Sequence, residues 1–130
     1  MVNVVAVSPS TSGNLKISAA GTTANGGIVN FGPGTNGPGT NSNAVPVALS
    51  PGGALDINVN ASNGATATHV RLVILGYYTD PATAGASAFV PVTPCAVFDT
   101  RFGTAYGSKA TGQQTLTAQV TGTISTTQTN

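Results

Sequence analysis

The sequence predicts an all-β domain, a β-sandwich or jelly-roll-like fold of about nine short strands. Two observations carry this prediction. Short runs of β-branched and aliphatic residues recur every 10–15 residues, and Gly, Pro, Asn and Ser turn signals separate them. No apolar series with helical spacing is sustained anywhere in the chain. The 130 residues are enough for one domain and its core, but too few for two ordinary domains.

The strand candidates are alternating or continuous apolar runs. In chain order they are residues 2–7, 15–19, 28–31, 45–49, 55–59, 70–75, 89–92, 95–98 and 116–120. Residues 55–59 alternate most regularly, which predicts a strand with one buried face. Residues 70–75 are apolar apart from Arg71, which predicts a central strand. Pro46 places the run at 45–49 on an edge or at the entry of a strand, because proline cannot donate to a ladder.

Three segments interrupt the strand pattern. Residues 32–41 contain Gly-Pro-Gly-Thr-Asn twice in tandem, which predicts an exposed loop because glycine and proline at this density do not form a sheet ladder. Residues 79–88 are almost all small, which predicts a flexible linker. Residues 121–130 are uncharged and have high β-propensity, so they form either a frayed tail or a strand that needs a partner.

The charge content and composition exclude some classes of function for this chain. Charged residues make up 5% of the chain, against about 25% in a typical soluble domain. Four scattered cations and a net charge of +1 provide no basic patch for nucleic acid. No apolar run approaches the roughly 18 residues of a membrane-spanning helix. A Gly-, Ser-, Thr- and Asn-rich surface of near-zero charge favours association and is typical of extracellular β-proteins.

We expect an extracellular or cell-surface location for this chain. Residues 1–5 lack the basic region and long apolar region of a secretory signal, so an exported form is expected to have lost its signal peptide.

The chemistry-bearing residues favour a protein that is not an enzyme. His69 is the one candidate base for a catalytic triad, and no nucleophile elbow is present. Asp56, Asp80 and Asp99 are dispersed, so they define neither a glycosidase carboxylate pair nor a calcium loop. No spacing of Cys, His or carboxylates matches a metal site. We therefore predict no catalytic residue, no metal and no cofactor.

Three stretches of the chain carry a family resemblance. The first is residues 29–31 with 43–47, the second is 69–78, which ends in Gly-Tyr-Tyr, and the third is 91–101, which contains Pro-Cys-Ala-Val-Phe-Asp-Thr-Arg. Together they resemble a repeat unit of bacterial secreted and cell-surface proteins, whose signatures are an apolar strand ending in Gly-Tyr-Tyr and a Pro-Cys-Arg-x-x-Asp-Thr-Arg segment. The resemblance implies a β-rich extracellular module, often in tandem or beside other surface domains. It implies no established activity.

The chain departs from the family pattern at two positions and in the order of its halves. Ala96 stands where the family usually has Arg, and Val73 stands where it usually has Asp. These departures imply a family ion pair that has lost both partners here. The family unit begins with its Asp-Thr-Arg half, whereas here that half comes last. Residues 1–78 therefore resemble the back of one unit, and residues 89–130 resemble the front of another.

We predict one β domain over residues 1–130. It consists of a main body (1–78), a flexible linker (79–88) and a second half (89–130). Three explanations of the inverted order stay open. The domain is circularly permuted, or the chain is a slice of an array, or the second half is donated to the sandwich of a neighbouring subunit.

The residues singled out for structure or assembly are Tyr77, Tyr78, Cys95, Asp99 and Arg101. Asp99 and Arg101 are two apart, so on a strand they share a face and interact, either as an anchoring network or as a recognition site for a polar ligand. Tyr77 and Tyr78 are expected to point to opposite faces, with one ring in the core and one at the rim, the alternative being a sugar-binding platform. Cys95 is expected to be a small buried hydrophobe, and the alternative is an intermolecular disulfide or a reactive thiol.

The functional prediction is an extracellular structural protein, a self-assembling β-sandwich subunit of a fibre or surface layer that polymerises by strand exchange. Its partner is then another copy of the same chain. The alternative is a glycan-binding or adhesion module, whose partner is a cell-surface glycan.

Overall fold

The computed structural model describes residues 1–23, 28–34, 39–79, 88–102 and 109–122, together with the backbone of 126–129. Within these residues the chain forms ten strands and no helix. The strands are β1 (Val2–Val7), β2 (Gly13–Ala19), β3 (Val29–Phe31), β4 (Thr40–Val45), β5 (Ala54–Asn60), β6 (Thr66–Tyr78), β7 (Phe89–Asp99), β8 (Ala110–Thr111), β9 (Thr115–Gln119) and β10 (Thr126–Thr129).

The strands make two five-stranded sheets whose ladders are antiparallel. The first sheet has the order β4-β1-β6-β7, and β8 pairs with β6 beyond the end of β7. The second sheet has the order β10-β9-β5-β2-β3. The predicted all-β class is confirmed, and the two sheets are consistent with a β-sandwich.

One hydrophobic core joins the two sheets. The first sheet contributes Val4 and Leu72, and the second contributes Leu15, Ile57 and Leu116, all with no exposed surface. Removing each such side chain from water stabilises the fold by about 1.5–3 kcal/mol. The alternation predicted for residues 55–59 is present, because odd-numbered positions of β5 are buried while its even-numbered positions are only half-buried beyond Ala54.

The strand predicted at 45–49 is wrong. The strand of this region is β4, which begins at Thr40 and ends at Val45, immediately before Pro46. A residue without an N–H cannot continue the ladder, so the apolar run after Pro46 packs against the core as irregular chain. The predicted loop at 32–41 is correspondingly too long, because Thr40 and Asn41 belong to β4; residues 35–38 lie outside the described chain.

The second half of the sequence also departs from its predicted elements. The two pieces expected around Pro94 form one strand, β7, which has irregular register with β6 at two places. Within residues 121–130, β10 pairs with β9 of the same chain. The predicted linker is described only at its ends, where the Thr79 N–H donates to the Ala88 carbonyl at 3.0 Å; residues 80–87 are not described.

In this chain the second half packs onto the main body. β7 and β8 pair with β6, and β9 pairs with β5. Phe98, Ala110, Leu116 and Ala118 complete the core that residues 1–78 begin. The main body and the second half thus share one set of buried contacts.

Two asparagine side chains connect the edges of the two sheets on one side of the sandwich. Asn41 donates from Nδ2 to the Asn30 carbonyl at 2.7 Å, and Asn43 donates likewise to the Ile28 carbonyl at 3.1 Å. These bonds link β4, the edge of the first sheet, to the neighbourhood of β3, the edge of the second. The opposite edge of the first sheet, β7, is the side on which the predicted site residues lie.

Candidate functional site: the β6–β7 hairpin

Four of the five residues singled out from the sequence lie in the hairpin of β6 and β7, namely Tyr77, Tyr78, Cys95 and Asp99. The fifth, Arg101, follows β7 by two residues. Its register places Tyr78 opposite Phe89 and Ile74 opposite Cys95. Because directly opposite residues of an antiparallel pair share a face, these side chains lie on the side of the sheet that carries the core. We call this surface the hairpin face; it consists of Ile74, Gly76, Tyr78, Phe89, Pro91 and Cys95.

The hairpin face is apolar and open to solvent. On this face Tyr78 is 49% exposed and Phe89 is 42% exposed, and Tyr77, which points to the other side of β6, is 56% exposed. On β7 every residue from 91 to 96 is exposed. The rings of Tyr78 and Phe89 contact each other, with centroids 5.3 Å apart and planes inclined at 51°.

Two sequence expectations are wrong on this surface. Neither tyrosine ring lies in the core, and Cys95 is exposed rather than buried. The physical reason is the length of β6, which has 13 residues, whereas β5 of the second sheet has seven. At about 3.3 Å per residue these strands span roughly 43 and 23 Å, so the end of the hairpin extends past the sheet that would cover it.

The absence of a side chain at Gly76 shapes the hairpin face. A Cβ built on Gly76 meets the Val90 carbonyl and lies 2.5 Å from Cζ of Phe89, closer than real Cβ atoms approach. Glycine therefore lets the Phe89 ring lie across the backbone of β6. This contact gives a structural reason for the glycine of the Gly-Tyr-Tyr segment.

A groove of about 390 Å³ lies where the hairpin face meets the end of the sandwich. Its walls include Val47, Leu49, Ile74, Tyr77, Tyr78 and Val120, and no charged side chain belongs to its described lining. A groove of this size and character falls in the range of pockets that hold small apolar groups.

The Asp99 carboxylate anchors the far end of the hairpin. Arg101 donates to it from Nε at 2.9 Å and from Nη2 at 2.6 Å, and the Arg101 backbone N–H donates at 3.1 Å. These hydrogen bonds hold the pKa of Asp99 below its usual value, and Asp99 raises the pKa of Arg101. The expected contact of Asp99 with Arg101 is present, but Arg101 lies in the turn after β7 rather than on a strand.

Thr100 is a buried residue that the sequence analysis did not single out. Its Oγ1 accepts the Val70 N–H at 2.9 Å, its N–H donates to the Val70 carbonyl at 2.9 Å, and Oγ1 lies 3.1 Å from Nδ1 of His69. His69 lies inside β6, and burial, followed by the charge of Lys109, lowers its pKa. The position of Thr100 between Asp99 and Arg101 was the one signal available in the sequence.

Neither a metal cluster nor a spanning helix is found in the residues that the structure describes. They contain no group of three or more His, Cys, Asp or Glu side chains that could hold a metal ion. They also contain no helix long and apolar enough to cross a membrane.

Fold and site together define an all-β, sandwich-like protein with an uncovered apolar hairpin at one edge. The chain matches no protein-family model, no curated protein and no solved structure. The function is therefore inferred from the residues of this chain alone.

The two positions that depart from the family pattern lie directly opposite each other. Val73 on β6 is the cross-strand partner of Ala96 on β7, so side chains at these positions are within reach of one another. Val73 is 7% exposed, whereas Ala96 is open to solvent.

We therefore expect Val73→Asp alone to destabilise the fold, because it places an unpaired carboxylate at a buried position, and Ala96→Arg alone to change little. The double variant should be about 0.5–1 kcal/mol more stable than the sum of the single effects, measured by urea unfolding of all four proteins. Additive single effects would show that the two positions do not pair.

The pH dependence of stability should have two separate limbs. His69 has a lowered pKa, so its contribution is complete above the unfolded value of 6.5 and is lost as pH falls through the folded value. Asp99 also has a lowered pKa, so its contribution is present above the unfolded value of 3.8 and is lost as pH falls through the folded value. His69→Gln should flatten only the first limb and Asp99→Asn only the second, in urea unfolding from pH 8 to 2. Loss of both limbs in either variant contradicts the assignment.

Proposed function

We propose that this chain is an extracellular structural protein, a self-assembling β-sandwich subunit of a fibre or surface layer. The observation that carries the proposal is the hairpin face, an uncharged apolar surface that the described part of the same chain leaves uncovered. Exposed apolar patches of a few hundred Å² and more mark interaction surfaces in soluble proteins. Each 100 Å² of apolar surface covered by a second copy favours association by about 2.5 kcal/mol before the costs of binding.

The charge distribution supports a second copy as the partner. No residue from 89 to 98 carries a charge, and the whole chain has a net charge of +1. Two copies therefore meet at this surface without electrostatic repulsion. The low charge and the excess of hydroxyl and amide side chains also support an extracellular setting, as the composition predicts.

Strand exchange is the proposed mode of assembly. A second half that pairs with β6 and β5 of its own chain makes the same pairings with those strands of a neighbour. The eight residues 80–87 span roughly 26–29 Å when extended, which is enough to carry β7 to an adjacent subunit. A series of such donations that does not close on itself grows into a filament.

A charge placed on β7 tests the assembly surface. Cys95→Lys adds a cation to an exposed position opposite Ile74, and Phe89→Lys adds one beside Tyr78; both should abolish concentration-dependent light scattering and ordered filaments in negative-stain images. Thr115→Lys, on the polar face of β9, is the matched control and should assemble like the parent chain. Assembly that is unchanged in both β7 variants, with the fold intact by circular dichroism, rules out this surface.

A cross-link between β6 and β7 tests strand exchange separately. Val73→Cys with Ala96→Cys, in a Cys95→Ser background, places two thiols on directly opposite residues. Exchange predicts a ladder of covalent oligomers on non-reducing gels of oxidised assemblies. Filaments whose cross-links all lie within single chains contradict exchange, while the assembly surface itself is judged by the lysine variants.

Exposure of both tyrosines favours the glycan-binding or adhesion module as a second candidate. Tyr77 and Tyr78 line the groove, and the Phe89 ring contacts Tyr78. Tyr78 and Phe89 thus present adjacent exposed rings on one face, and Tyr77 presents a further exposed ring. Aromatic faces supply large, rigid contact area with a polar edge. A pull-down with insoluble polysaccharides should retain the parent chain and lose Tyr77→Ala and Tyr78→Ala, with Phe102→Ala, which removes another exposed ring, as control. Equal retention of all four proteins excludes this use of the tyrosines.

A further inference from the structure

The fixed cations of this nearly uncharged chain are not spread evenly over its surface. Arg71 lies on β6, Arg101 lies in the turn after β7, and Lys109 immediately precedes β8, which also pairs with β6. Three of the four Lys and Arg residues thus meet around Asp99 and His69. We call this surface the basic corner; it consists of His69, Arg71, Asp99, Thr100, Arg101 and Lys109.

The basic corner keeps a positive excess. Asp99, whose side chain is only 13% exposed, is occupied by the paired hydrogen bonds from Arg101. Arg71 is 44% exposed and its Nε is 4.0 Å from the Asp99 carboxylate, beyond hydrogen-bond distance. The described residues offer no other partner to the Arg71 guanidinium. One carboxylate thus faces three fixed cations, with its hydrogen bonds taken by Arg101 and only a long ion pair to Arg71, so the corner keeps a net positive charge.

Hydrogen bonds fix two side chains of the basic corner. Lys109 contacts Ser10 Oγ at 2.5 Å, which holds its ammonium at this corner. The Val70 N–H donates to Thr100 Oγ1, and Nδ1 of His69 lies 3.1 Å from the same oxygen, so Thr100 fixes the position of the imidazole ring.

We propose that the basic corner binds an oxyanion, a carboxylate, sulfate or phosphate group, through Arg71 and Lys109. The planar fork of an arginine matches the paired oxygens of such groups. A low background charge sharpens the selectivity of the site for anions, because no other described surface of the chain gathers cations. This site is separate from the hairpin face and does not depend on the assembly proposal.

Titration of the full chain with anions tests the proposal directly. The probes are sodium sulfate, sodium phosphate, polygalacturonate as a carboxylate polymer and heparin as a sulfated polymer, each followed by calorimetry or NMR at a protein concentration that shows no light scattering. We expect binding that weakens with added salt. Saturable binding of the inorganic anions alone identifies a free anion as the ligand, whereas tighter binding of a polymer identifies an anionic polysaccharide. No binding of any probe overturns the proposal.

Matched charge removals locate the site. Arg71→Gln and Lys109→Gln should each weaken binding roughly tenfold, because each removes a charge-assisted hydrogen bond. Lys16→Gln removes the same charge from β2 of the second sheet and should leave the affinity unchanged. Arg101 is left in place because it holds Asp99. Equal weakening in all three variants would show that affinity depends only on net charge, which contradicts a specific binding site at the corner. Unchanged affinity in the two corner variants contradicts it as well.

Discussion

The first sheet depends on one strand, β6. It pairs with β1 along one side and with β7 and β8 along the other, so the sheet separates into pieces without it. Its inward residues Val70 and Leu72 are fully buried, and the buried Thr68 hydroxyl donates to the Val7 carbonyl at 3.1 Å. A central strand is covered by neighbouring strands on both sides, so most of its side chains are apolar. The nearly uninterrupted apolar run of residues 70–75 has this composition.

The length of β6 also sets the two surfaces to which we assign functions. Near its start, the outward residues His69 and Arg71 form part of the basic corner, and at its end Gly76 and Tyr78 form part of the hairpin face. Between Arg71 and Tyr78 the strand rises roughly 23 Å. A partner docked on the hairpin face therefore leaves the basic corner open, so assembly and anion binding are separable properties of one strand.

The sequence predicts strand position and burial where the pattern within one strand determines them. It does not predict them where strands distant in sequence determine them. Alternation over 55–59 predicts the buried face of β5, and the apolar run at 70–75 predicts the central strand, because both patterns reflect neighbours on the same strand. The exposure of Tyr78 and Cys95 follows instead from where the second sheet ends, which is a property of other segments. The start of β4 at Thr40 could not be predicted for a similar reason. Its side chains Asn41 and Asn43 donate to backbone carbonyls of residues 30 and 28, which are distant in sequence. Contact of Asp99 with Arg101 was predicted from spacing, although a turn rather than a strand provides it.

Strand exchange changes which chains build the basic corner. The basic corner takes His69 and Arg71 from the main body, and it takes Asp99, Thr100, Arg101 and Lys109 from the second half. When the second half pairs with β6 of a neighbour, each corner is built from two chains at the boundary between subunits. An oxyanion bound there contacts Arg71 of one chain and Lys109 of the next. The self-packed chain builds the same corner from its own residues, so the anion binds both states alike and leaves the equilibrium between them unchanged. The anion instead stabilises both docked states against the open chain through which exchange must pass, because the open chain separates Arg71 from Lys109.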